Sequence, residues 1–394
     1  MLKTIASYNI RLLFWSDFFG TMNFLQPVMT LFYMQRGLSA QDIFIVLFCW
    51  SAAVLIGEIP TGVYADRFGA KCSFITGAVL RIASIALLLF ASEPWMFFAY
   101  SFINGFSVTF YSGADEAFIY ESLKESGEEH RMDQAMGKIQ SGSFIAMIVA
   151  VLFGGYAAKD LSTSQFDLLI LLTIAFQLVE LALTLLLKKP KRAAEPFENP
   201  LRQVKEGFLV IRHKPLLLLM FLNVTLVFIP VGAVFKNFDQ PFLTHAGIPV
   251  EVVGLFYAGA AVLGFFASRS IGWLTDHYSR IALMFVTGVL SVIGLVLAAF
   301  TGSTLWLAIG VFILLRIVQV IRYPIYSQIS NDYIPSSVRA TTISLLSIVD
   351  SCCDLAVFLA LSFVAAGNSM QWIFLGAAAI VLIGMLLPIR PLKE

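Results

Sequence analysis

The strongest constraint in this chain is a unit that recurs from end to end: a run of about 20 mostly apolar residues, closed by a short polar turn. About twelve such runs can be marked along the 394 residues, at roughly 9–32, 42–64, 72–92, 95–121, 135–158, 165–188, 215–243, 251–275, 281–301, 304–330, 338–366 and 369–389. Their connectors carry turn and cap residues, among them Gly37-Leu38-Ser39, Ser92-Glu93-Pro94, Gly302-Ser303 and Ala366-Gly367-Asn368. Composition agrees. The chain is 59% hydrophobic and 13% charged, with mean hydropathy +0.84, whereas a water-soluble protein carries about 25% charged residues. Its solvent is lipid, and the fold expected is an all-α membrane protein of twelve transmembrane helices. No small-residue cleavage site follows the first apolar run, so that run reads as a retained span.

Charge sets the orientation. Lys and Arg of the loops concentrate on one side of the spans, with Arg67, Lys71, Lys124, Arg131, Lys138, Arg280, Arg339 and the cluster from Lys188 to Lys214; the other side holds Arg36 and Lys159. Cytoplasmic loops carry the excess of basic residues, so both termini are expected in the cytoplasm of a cell with this protein in its plasma or inner membrane. A net charge of +1 suggests no nucleic-acid surface. The longest polar stretch divides the chain into an N-terminal bundle at 1–188, a linker at 189–214 and a C-terminal bundle at 215–394. Within that linker, Leu201, Val204, Phe208 and Ile211 share one helical face, which fits a helix on the membrane surface and a solvated linker helix equally. Cys49, Cys72, Cys352 and Cys353 lie in or beside apolar runs without metal-ligand spacing or a disulfide framework. With no nucleophile–base set, metal cluster or cofactor motif, neither an enzyme nor a cofactor is expected.

The two halves repeat. Gln26-Pro27 returns as Gln240-Pro241, and the polar loop "GVYADRFGAK", Gly62 to Lys71, returns in degenerate form from Gly272 to Arg280. The loop is no phosphate-binding P-loop: six residues separate Gly62 from Gly69, and the end reads Gly69-Ala70-Lys71-Cys72. Gly62-x-x-x-Asp66-Arg67-x-Gly69-x-Lys71 resembles the signature between the second and third helices of the major facilitator superfamily of secondary transporters, nearest in look to bacterial drug–proton antiporters. The resemblance covers essentially the whole chain. It implies two pseudo-symmetric six-helix bundles that rock around a central cavity. Gly62, Asp66, Arg67, Gly69 and Lys71, with Asp276 and Arg280 of the second copy, would form a cytoplasmic latch. Asp66 would approach the start of the eleventh span near Pro335-Ser336-Ser337, because a helix N-terminus attracts a carboxylate. Gly62 would let helices approach closely, and Gly69 would permit the tight turn. A pure topology signal is the plainer reading of the same loop. This chain departs from the superfamily's proton-driven exporters at Ser101, where an Arg often precedes Gly105, and at Gly154-Gly155, which lacks the usual proline.

A charge within a span is costly and marks a cavity or a partner. Asp17, in the aromatic first span, is the leading candidate for proton or substrate coupling. Asp350 and Asp354, one turn apart on the eleventh span, share a face. Arg316 and Arg322 on the tenth span are their expected partners, as a transport site or as a structural cluster. Asp115 and Glu116 are gate candidates in the fourth span, with an interfacial acidic patch as the plainer reading. Arg81 and Glu180, each alone on an apolar span, are expected to pair structurally. Phe14, Trp15, Phe18, Phe24 and Phe256 are candidate substrate contacts. The function expected is proton-coupled export of amphipathic small molecules by a monomer in the bilayer. The alternatives are import or facilitated passage of a small organic anion and, further off, a membrane receptor without turnover.

Overall fold

The computed structural model describes residues 4–190, 215–333, 339–367 and 369–389. The proposed surface helix of the linker and the start of the eleventh span at Pro335-Ser336-Ser337 lie outside the described residues. Every regular element among the described residues is helical: α1 Ile5–Thr21, α2 Met29–Gln35, α3 Ala40–Phe68, α4 Ala70–Leu87, α5 Pro94–Thr109, α6 Ala114–Glu125, α7 Met132–Ala157, α8 Thr163–Leu185, α9 Pro215–Ile229, α10 Lys236–His245, α11 Val250–His277, α12 Arg280–Phe300, α13 Leu305–Tyr333, α14 Arg339–Ala365 and α15 Met370–Leu386. Nine helices among the described residues are long and apolar enough to cross a membrane.

The expected spans differ from these helices for local reasons. The first span breaks between α1 and α2, where the Asn23 side chain accepts from the Leu25 amide at 3.2 Å and Pro27 opens a 3-10 turn at Gln26–Val28. The fourth breaks between α5 and α6, where Gly113 takes φ +70°, a conformation that suits glycine. In the seventh, a π-helical turn at Pro230–Phe235 joins α9 to α10. The twelfth is the 17-residue α15.

The chain forms two compact units. The first comprises Met1–Arg36 with Val46–Phe197, the second Gly37–Ile45 with Glu198–Glu394. In the first unit α1 packs on α7 and α8, and α4 packs on α5 and α8. Lipid tails are as apolar as leucine, so close packing and hydrogen bonds hold such helices together. A Cβ on Gly154 of α7 would stand 2.0 Å from the Phe24 carbonyl, and one on Gly105 of α5 would stand 2.6 Å from the Trp50 carbonyl of α3. Ser101 donates to the Val46 carbonyl at 2.6 Å along the same α3–α5 contact. At Gly62 a Cβ would meet nothing within 4 Å among the described residues. In the second unit α12 packs on α13 and α15, and α9 packs on α14 and α15. Met220, Phe221 and Val224 meet Leu283, Met284, Ile325 and Ile329 in its core.

Candidate functional site

Each unit holds a polar cluster built on an ion pair inside its apolar packing. In the first, Arg81 of α4 forms an ion pair with Glu180 of α8 through Nη2 and Oε2. The Tyr111 hydroxyl, from the break between α5 and α6, donates to the other carboxylate oxygen, Oε1, at 3.1 Å. The Arg81 guanidinium also lies over the Tyr111 ring, 5.2 Å from its centroid. Glu180 is buried, and Gly20 of α1 makes room for it: a Cβ on Gly20 would lie 2.7 Å from the Glu180 carboxyl carbon. One turn earlier on α1, Asp17 accepts a hydrogen bond from Ser143 of α7. Asp17 is within electrostatic reach of Arg81, Glu180 and Asp115. The Arg81–Glu180 pair is therefore joined to the carboxylate that the sequence singled out for coupling, through the α1 face that carries Asp17 and Gly20.

The second unit repeats this chemistry on other helices. Asp239 of α10 is fully buried. Arg316 of α13 donates from Nη2 to its Oδ2 at 2.5 Å, and Tyr257 of α11 donates to its Oδ1 at 2.5 Å. Arg316 lies 5.3 Å from the Tyr257 ring centroid and 5.3 Å from that of Phe312. The expected grouping of Arg316 and Arg322 with Asp350 and Asp354 is corrected here. Arg316 is taken by Asp239. Arg322, buried, donates to the Met284 carbonyl at 2.6 Å and the Thr287 hydroxyl at 3.0 Å, both on α12. Asp350 accepts from Thr225 of α9. The physical reason is rotation about the helix axis: Arg316 and Arg322 are six residues apart, which at 3.6 residues per turn points them to different neighbours. Asp239 escaped the sequence reading although a signal was present. In the repeat that aligns Gln240-Pro241 with Gln26-Pro27, Asp239 stands opposite Leu25, a charge in place of an apolar residue.

The signature loop forms the joint between α3 and α4. Gly62, Asp66 and Arg67 lie in the last turns of α3, and Gly69 turns the chain with φ +87°. Lys71 donates from Nζ to the carbonyls of Leu185 and Leu187 at 2.7 Å each, capping the end of α8 with a cation. A cleft of about 420 Å³ beside the loop is lined by Asp66, Arg67, Lys71, Gly113, Glu121 and Lys189, among others. In the second copy, Asp276 lies in the last turn of α11 and Arg280 begins α12, where Ser279 accepts from the Ala282 amide at 3.2 Å. Asp115 and Glu116 occupy the first turn of α6, and Asp115 accepts from the Glu116 amide at 2.8 Å. Acidic residues stabilise a helix start. Of the candidate aromatic contacts, Phe24 is buried between Phe153 and Phe176, while Trp15 is exposed.

Residues 12–351 match the family model of the Major Facilitator Superfamily, a span that takes in the signature loop and both charged clusters. The chain belongs to this superfamily. It is a secondary transporter and a multi-pass membrane protein. It is 22% identical over 380 residues to the MFS-type transporter YxaM of Bacillus subtilis, covering 93% of this chain and 91% of that one. Over 88 residues, 22% of each chain, it is 27% identical to the multidrug resistance protein MdtH of Salmonella typhimurium. Among solved structures, a mutant form of the nucleoside transporter NupG superposes with TM-score 0.80 at 14% identity, over 97% of this chain and 98% of that one. The D-xylose-proton symporter superposes with TM-score 0.67 at 14% identity, over 97% and 95%. At these identities the solved structures speak for the superfamily fold alone.

Proposed function

We propose that the protein exports amphipathic small molecules in exchange for protons, by alternating access of twelve spans arranged as two six-helix bundles. It would work as a monomer in the cell membrane, with both termini cytoplasmic, and with the Gly62–Lys71 and Asp276–Arg280 loops as its latch. The observation that carries this reading is Asp17. It is a carboxylate within an aromatic span, held by a neutral hydroxyl rather than an ion pair, with Arg81 in electrostatic reach. Such a group can take up and release a proton without breaking a salt bridge of its own. A substrate that favours its ionised form displaces that proton, which is the linkage an exchanger needs. The local likeness to a multidrug resistance protein supports the substrate class.

The test is transport into proteoliposomes under an imposed pH gradient, screened with a mixed pool of amphipathic compounds. Asp17→Asn is expected to abolish proton-driven accumulation and retain substrate binding, and Asp17→Glu to keep partial activity. Accumulation by Asp17→Asn under a proton gradient alone would remove Asp17 from the coupling role. Orientation is tested separately by single cysteines in the otherwise cysteine-free chain. Positions 36 and 159 should react with an impermeant reagent in intact cells, and positions 124–138 should not; the reverse pattern inverts the topology.

A further inference from the structure

The ion pair of the second unit has a further positive charge beside it. Lys236 opens α10 directly after the π-helical turn, nine residues before the end of that helix. At 1.5 Å per residue this sets it roughly 14 Å from the end, near mid-membrane. It shares a helix face with Asp239, three residues on, and lies within electrostatic reach of both Asp239 and Arg316. Yet Asp239 has no place for it. One carboxylate oxygen accepts from Arg316 and the other from Tyr257. Lys236 is exposed and makes no hydrogen bond or ion pair among the described residues. Arg316 meanwhile keeps a buried Nε without a hydrogen-bond partner. One carboxylate thus faces a guanidinium and an ammonium.

Lysines at this depth almost always face the bundle interior or a water-filled cavity rather than lipid. The polar groups continue on α13. Gln319, three residues after Arg316, places its Nε2 2.9 Å from where a Gly232 Cβ would stand, and Gly232 precedes Lys236 by four residues. The missing side chain at Gly232 leaves room for that amide about one turn before Lys236. The π turn that contains Gly232 is the kind of helix irregularity that occurs frequently at functional sites.

We infer that Lys236, with Arg316 and Gln319, binds the acidic group of an amphipathic organic anion, so that transported molecules carry a carboxylate or a comparable oxyanion. The ammonium supplies the charge, the Gln319 amide a neutral donor, and Arg316 holds Asp239 away from the incoming anion. The inference rests on the reading of the chain as a transporter of amphipathic molecules; since an oxyanion alone would favour protonated Asp17, a substrate exchanged for protons there carries a cationic group as well, and the anion site is tested apart from it.

The experiment measures binding to the purified full-length chain in detergent, with no gradient. The probes are decanoate, phenylbutyrate and naphthoate, each paired with its uncharged primary amide, and inorganic phosphate as a separate arm. At least one acid is expected to bind about tenfold tighter than its amide, the ratio that one charge-assisted hydrogen bond supplies. That ratio should fall to near one in Lys236→Met and persist in Lys236→Arg, with wild-type melting temperatures in both. Lys236→Gln replaces Lys236→Met if the latter does not fold. Three results overturn the proposal: no acid preferred over its amide by the wild type, a preference that survives loss of Lys236, or phosphate alone binding as tightly as the acids. Because the readout needs no proton gradient, its failure is distinct from failure of the coupling role of Asp17.

Discussion

The two units bury a carboxylate in the same way on different helices. In each, one carboxylate oxygen takes an arginine Nη2, the other takes a tyrosine hydroxyl, and the guanidinium stacks on that tyrosine, at 5.2 Å in the first unit and 5.3 Å in the second. Glu180, Arg81 and Tyr111 come from spans six, three and four, whereas Asp239, Arg316 and Tyr257 come from spans seven, ten and eight. The internal repeat relates span seven to span one, so the triads are not copies of one another. What recurs is a physical solution: a carboxylate among apolar helices needs its charge matched and its lone pairs filled. The units differ in the fourth charge. The first adds an anion, Asp17, and the second a cation, Lys236.

That difference predicts unequal costs. Arg81→Ala leaves Glu180 and Asp17 without a nearby cation, and should lower stability by about 3–5 kcal/mol, the range for breaking a buried pair. Arg316→Ala leaves Lys236 within reach of Asp239, so its loss should be smaller, about half as large on the same scale. Thermal unfolding of the purified variants in detergent gives the order. Adding Glu180→Ala to Arg81→Ala should recover part of the loss, because no lone buried charge remains. Additive losses in that cycle, or a larger loss at Arg316, would break the comparison.

Gly20→Ala sharpens it. The new methyl would overlap the Glu180 carboxyl group, an overpacking cost of about 1–3 kcal/mol. In the Glu180→Ala background the same substitution should cost almost nothing. If it remains costly there, Gly20 serves α1 itself rather than the ion pair. The smallest effect is expected at Lys71, which caps α8 from the signature loop. Lys71→Met should cost about 1 kcal/mol, as for a cation at a helix C-terminus. Faster amide exchange confined to Leu185–Leu187 and the adjoining residues would confirm that the loss is local, and unchanged exchange there would remove the capping role.

Helix irregularities that position these clusters were only partly legible in the sequence. Pro27 and Gly113 are visible breakers, but neither announces which side chain the break will present. Tyr111 sits in the second break, and its position there lets the hydroxyl reach Glu180. Arg81 and Glu180 could be paired from the sequence because each was the isolated charge of its span. The same reasoning fails for Arg316, which has several candidate carboxylates along the chain and meets Asp239.

The sequence by itself determined the solvent, the helical class and the superfamily, because these depend on local quantities. The hydrophobic thickness of a bilayer sets the length of each run, and loop charge and glycine spacing are written in consecutive residues. Only the tertiary structure decided which charges meet. Pairing depends on the rotation of each helix about its axis and on which helices become neighbours, and both follow from packing of residues far apart in the chain. A turn of about 100° per residue redirects a side chain from one neighbour to another. That is why Arg316 reaches Asp239, why Lys71 reaches the end of α8, and why Lys236 lies beside an ion pair already complete without it.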